Sequence, residues 1–313
     1  MTDPKSARPE AKPTPTTRSS TTPATAPPAG RPAAEAAPPP GRTAPAAAGT
    51  PGRIALLTLG LLVAVLALSY LIYDLEALSR LPAVVGWLVQ PILAIALVLV
   101  GIAWIHKLPF GAGLAELGLW APIGPAFLFG LFATLPMAIW LGLSDAPLRD
   151  LDPLTLLFTL LVWPLVEEIL FIGFAFRRLY RYAGWGFLSA ALVGPVIFAL
   201  LHVGNSFFAD VELGKPLFAA GLAIVGGLLL AWLFVAWADN LWVPIIFHGM
   251  MNFWWEGFGL DRAGVGIVGS DVVRLLAVAL AVAITIWRHR LPFGLKPARV
   301  WPGRATGATT RAA

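Results

Sequence analysis

The chain has 313 residues, of which 58% are hydrophobic and 12% charged, with a mean hydropathy of +0.78 and a formal net charge of +5. Soluble domains carry about 25% charged residues, so this composition excludes a water-soluble fold of this size, a wholly disordered chain and a polar nucleic-acid binder. The absence of cysteine removes disulfide scaffolds, thiolate catalysis, Cys-type zinc sites and iron–sulfur clusters.

Residues 1–53 hold 13 of the 28 prolines and lack Ile, Leu, Val, Phe, Tyr and Trp. Such a stretch buries too little apolar surface to offset its ordering entropy, so a disordered Pro/Ala-rich tail is expected. A transmembrane helix needs about 20 mostly apolar residues. Eight segments fit: 54–73, 82–105, 123–143, 154–176, 185–207, 217–238, 241–257 and 272–287. They lack period-2 alternation, which argues against a β-barrel. The expected fold is therefore all-α: a polytopic transmembrane helical bundle of about eight spans over 54–290. A basic tail over 291–313 follows it.

Eight spans put both termini on one side. Of the 22 Lys and Arg, 17 fall on that side, in the two tails and at Lys107, Arg177, Arg178 and Arg181. The excess of basic residues marks it as cytoplasmic, in a cell (inner or plasma) membrane. The basic charge then points to anionic lipid headgroups as partners and not to nucleic acid, since no reading surface accompanies it. Trp104, Trp140, Trp242 and Trp287, near span ends, read as interfacial anchors.

Charges at bilayer depth are costly and usually functional. Glu167 and Glu168 stand inside the fourth span, and His202 and His248 lie in apolar runs. His106 and His289 sit at edges and read as interfacial. Residues i and i+4 share a helical face, so His248 pairs with Asn252, and Phe198 with His202. Adjacent residues diverge by about 100 degrees. One glutamate is thus expected to face the site while the other seeks a separate partner.

Several chemistries suit these groups. A buried Glu can act as general base on water, one His sharing or steering the proton while another His and an Asn donate to an oxyanion. Glu167, His202 and His248 equally match the three-ligand pattern of catalytic Zn²⁺. Two intramembrane histidines also match axial haem ligands, which leaves the glutamates without a role. The water–glutamate chemistry needs no cofactor.

Three segments then resemble the CPBP intramembrane protease family (CaaX protease and bacteriocin-processing, of the Rce1/Abi type). Its signature runs Glu-Glu-x-x-x-Arg, Phe-x-x-x-His, His-x-x-x-Asn/Asp. Here these read Glu167-Glu168-Ile-Leu-Phe-Ile172, Phe198-Ala-Leu-Leu-His202 and His248-Gly-Met-Met-Asn252. The likeness covers about 154–256. It implies an intramembrane endopeptidase in which Glu167 and His202 activate water while His248 and Asn252 stabilise the oxyanion, with Glu168 and Phe198 in support. The substrate implied is a membrane-associated protein or peptide. The chain departs at Ile172, where the family's Arg would pair with Glu168. Arg177 and Arg178 lie too far along the helix to replace it. The non-enzymatic alternative is a family member serving as a membrane scaffold or in bacteriocin self-immunity. With straight helices and these boundaries, His202 is expected nearer the outer face than Glu167. A later start to the fifth span or a bend at Pro195 would level them.

Overall fold

The computed structural model describes residues 50–73, 82–109, 111–143, 152–208, 214–257 and 266–289, all within the unit Pro45–Ala313. Of the tail expected over 1–53, residues 1–49 lie outside the described residues and 51–53 open the first helix instead; the tail over 291–313 lies outside them entirely. Among those described there are ten helices and no strand. They are α1 (Pro51–Tyr73), α2 (Ala83–His106), α3 (Ala112–Leu117), α4 (Ile123–Ala133), α5 (Leu135–Leu143), α6 (Pro153–Tyr182), α7 (Phe187–Phe208), α8 (Gly214–Ala236), α9 (Trp242–Asn252) and α10 (Gly266–His289).

All eight expected segments are helical, and a count of eight spans is not confirmed. Among the described residues four helices are long and apolar enough to cross a bilayer: Pro51–Ser69, Val84–His106, Pro153–Tyr182 and Pro216–Ala236. The pair α4 and α5 makes a fifth if taken as one span bent by 43°. Two local causes produce that bend. Pro136 has no N–H for the carbonyl four residues back, and the Thr134 hydroxyl donates to the Gly130 carbonyl at 2.9 Å. The apolar stretch Phe187–Leu201 and the 11-residue α9 fall short of about 20 residues. Large apolar side chains such as Leu56, Ile92, Phe132, Leu200 and Val225 stay exposed, as on a lipid-facing surface. Leu62, Val98, Ile102, Leu117, Phe174, Phe234 and Ile245 fill the core between helices.

Helix α6 carries the two glutamates and is unusual along its length. Asp152 caps it, accepting from the Thr155 N–H at 2.8 Å and the Thr155 hydroxyl at 2.9 Å. These bonds hold the Asp152 carboxyl below its ordinary pKa. Three wide π-type stretches follow, over Phe158–Val162, Ile169–Phe176 and Arg178–Tyr182. The first has a sequence cause: Pro164 offers no N–H to the Leu160 carbonyl, so the ladder shifts by one residue.

The helix ends at Tyr182, six residues beyond the expected 176, and this extension sets the depth of the site. Helix α7 folds back antiparallel after the turn at 183–186. Phe187 packs on Phe176 and Tyr180, while Phe198 meets Phe171 edge-on at 6.2 Å. Glu167 stands fifteen residues before Tyr182, and His202 fifteen after Phe187. The bounds behind the expected offset in depth therefore change, since α6 runs six residues further than expected.

The α2–α4 connection, the α6–α7 turn and the α8–α9 turn meet at one end of the bundle. There Arg181 pairs with Asp239 at 2.7 Å, and the fully buried Arg178 lies 3.5 Å from Glu116, which also accepts from the Tyr182 hydroxyl at 2.5 Å. Asn240 donates to the Pro122 carbonyl and the Trp242 indole to that of Leu119. Gly118 has φ +88°, and a Cβ there would overlap the Asp239 carbonyl oxygen. His106, expected at the interface, is instead only 3% exposed, with its ring centroid 4.6 Å from that of Tyr182. The chain turns into the protein at this point, since Lys107 adopts a left-handed conformation that ends α2.

Helix α10 is tied to this core by the Trp237 indole, which donates to the buried Thr285 hydroxyl at 3.1 Å. Replacing Thr285 with Val keeps the shape and removes the acceptor. Thermal unfolding in detergent is expected to show a loss of about 1–2 kcal/mol, the usual cost of a buried donor deprived of its partner.

Candidate functional site

The site forms where α6 and α9 pack. Glu167 and Glu168 end the short α-helical segment Trp163–Glu168, between two wide-turned stretches of α6. His248 projects from the middle of α9. Gly249, the next residue, carries the close approach: a Cβ there would overlap the Leu160 carbonyl oxygen, with Pro164 Cγ at 3.5 Å.

Both glutamates meet the same imidazole. His248 Nδ1 lies 2.8 Å from Glu168 Oε1, and His248 Nε2 lies 3.9 Å from Glu167 Oε2. This corrects the expectation that one carboxylate faces the site while the other finds a separate partner. Adjacent side chains do diverge, but an imidazole presents a nitrogen on each of two edges. Two diverging carboxylates can therefore flank one ring. An ionised carboxylate only accepts, so if Glu168 is ionised the hydrogen of the shorter contact resides on Nδ1.

The two carboxylates differ in environment. Glu168 is buried, its side chain 5% exposed, whereas that of Glu167 is 31% exposed and the His248 side chain 23%. The site thus has a deep wall at Glu168 and an accessible side at Glu167. Ile172, where the resemblance has Arg, is 2% exposed within the apolar core. Arg177 and Arg178 serve Asp239 and Glu116, as their distance along the helix from Glu168 requires. Among the described residues, the polar contact of Glu168 is His248, and its second oxygen Oε2 is buried without a hydrogen bond.

Asn252 follows one turn after His248 on α9 and is half-buried. Phe198 packs from α7 against Phe171, one residue short of a full turn beyond Glu168. His202 is on the next turn of α7, and its side chain lies outside the described residues. Among the described residues no group of three His, Asp or Glu is arranged to hold a metal ion. The zinc set Glu167, His202 and His248 includes that undescribed side chain.

Reading the sequence by helical angles missed the Glu168–His248 bond. The signal available was the second nitrogen of His248, which gives a neighbouring acid somewhere to go. Glu116 and Asp239 also went unremarked, because each sits in a connection and gains its partner only through tertiary packing.

Residues 149–254 match the family model described as type II CAAX prenyl endopeptidase Rce1-like, a match that spans 106 of the 313 residues. It encloses Glu167, Glu168, Phe198, His202, His248 and Asn252. No curated protein and no solved structure matches the chain.

Proposed function

We propose that the chain, whose residues 149–254 match the Rce1-like family model and which has several helices long and apolar enough to cross a membrane, is an intramembrane endopeptidase. It hydrolyses a peptide bond of a membrane-associated protein or peptide. The observation that carries this reading is the single imidazole flanked by two adjacent glutamates, one buried and one accessible.

In this mechanism Glu167, with His202, takes a proton from water as the oxygen attacks the scissile carbonyl. Asn252 and His248, the latter carrying a proton on Nε2 as well as on Nδ1, donate to the oxygen that becomes negative, where preorganised donors act most strongly. The tetrahedral intermediate then collapses, the C–N bond breaks, and the proton passes to the leaving amine. The accessible side of Glu167 supports its part. So do the equal residue separations of Glu167 and His202 from the α6–α7 turn, and the one-turn spacing of His248 and Asn252. Both tails are cytoplasmic in this reading, and the arginine-bearing end of the bundle faces the same side.

Detergent-purified protein is expected to cleave membrane-associated peptides, prenylated or not, with products identified by mass spectrometry. Cleavage confined to prenylated peptides would narrow the substrate class to lipidated termini. Absence of cleavage from every peptide would overturn the enzyme reading in favour of a scaffold or self-immunity role. Activity that survives a chelator supports the water–glutamate chemistry, and activity lost to chelator and restored by Zn²⁺ supports a zinc site. A Soret band would revive the haem reading; the expected protein is colourless.

A further inference from the structure

We propose that Glu168 is a positioning residue: its carboxylate fixes the imidazole of His248 through Nδ1, so that Nε2 is the nitrogen presented beside Glu167. This rests on the hydrolytic reading above and assigns a duty to the second acid, whose place is otherwise open.

Three observations lead there. The Glu168–His248 contact is 2.8 Å, a hydrogen-bond length, whereas the Glu167–His248 contact is 3.9 Å, too long for one. The cation that the family resemblance supplies to the second acid is absent here, since position 172 is a buried Ile. Nothing at that position competes for the carboxylate, and Arg177 and Arg178 are committed to Asp239 and Glu116. Finally, among the described residues the elements packed on His248 bring few other charges. Helix α4 and the stretch Phe158–Val162 contain no ionisable residue. The side chains of Lys215 on α8 and Glu256 beyond α9 lie outside the described residues.

The physical consequence is orientational. A histidine free to turn about its ring bond exchanges the edge that it offers to a substrate. An acceptor on Nδ1 holds one edge and fixes the hydrogen on that nitrogen. The buried carboxylate also offsets the positive charge that the ring takes on whenever Nε2 carries a proton. Glu168 accomplishes both without touching the substrate.

The test uses full-length protein in detergent with ¹⁵N-labelled histidine. Its four histidines are distinguished by assigning His248 from a His248→Gln spectrum. The wild type is expected to show His248 with the hydrogen on Nδ1. Glu168→Leu is expected to move that signal to a mixture of tautomers, and to lower kcat about a hundredfold with KM within about twofold. Glu168→Gln keeps an acceptor and is expected to lose only about tenfold in kcat. It also serves if the Leu variant does not fold, which thermal unfolding would show. An unchanged His248 signal, or an unchanged kcat in both variants, would overturn the proposal. Absence of hydrolysis in the wild type, together with a moved nitrogen signal, would leave Glu168 as the residue that positions His248 and remove the protease reading instead.

Discussion

Glu167→Gln is expected to lower kcat by about 10²–10⁴-fold, the range by which a positioned general base accelerates proton transfer. The substitution keeps the shape of the side chain and its acceptor oxygen, and removes the group able to take a proton from water. Glu167 is the more accessible of the two acids, so its loss leaves the buried Glu168–His248 bond intact. Thermal unfolding should therefore match the wild type while hydrolysis disappears. Equal hydrolysis by the two proteins would assign the chemistry elsewhere. Equal biological function with no hydrolysis by either would favour the scaffold reading.

Gly249→Ala is expected to damage both stability and activity. Its Cβ would overlap the Leu160 carbonyl oxygen, a backbone atom in a turn already widened by Pro164. Neither partner can rotate away, so α9 must withdraw from α6. Overpacking of this kind costs about 1–3 kcal/mol or more. A displacement of about 1 Å at a catalytic group can itself cost about 100-fold in rate. Gly130→Ala makes the informative comparison, because it presses a neighbouring face of α9, roughly 60–100 degrees round from Gly249. Its Cβ would meet Ile246 Cγ2 at 2.8 Å and Met250 Sδ at 3.2 Å, side-chain atoms that can shift. The measurement is kcat with the unfolding midpoint for both variants. Gly249→Ala should lose far more of each; equal losses would mean that the approach to Leu160 does not govern the site.

Much of the fold was legible because hydrophobic runs of about 20 residues have few interpretations other than membrane helices. Every expected segment is helical, and the site residues stand out because Glu167 and Glu168 break an otherwise apolar run. What hydropathy cannot show is where a helix gives way to a turn within amphipathic sequence. The stretch from Arg177 to Tyr182 looks like a cytoplasmic loop by charge, yet Arg178 is fully buried because Glu116 meets it. His106 misled for the same reason, its neighbour Lys107 marking an edge that the fold then covers. The pairing of Glu168 with His248 was hidden for a different one. Helical angles describe directions from an axis, whereas a hydrogen bond depends on what the neighbouring helix offers.

The α6–α7 hairpin has a further consequence, concerning length. From the turn at 183–186, Glu167 and His202 are the same number of residues away. Inserting one residue into the α-helical arm, α7, between the turn and His202 slides His202 about 1.5 Å and rotates it about 100 degrees relative to Glu167. An insertion in the turn leaves both arms in register. The site therefore depends on a difference between two chain lengths, a quantity carried by no single side chain.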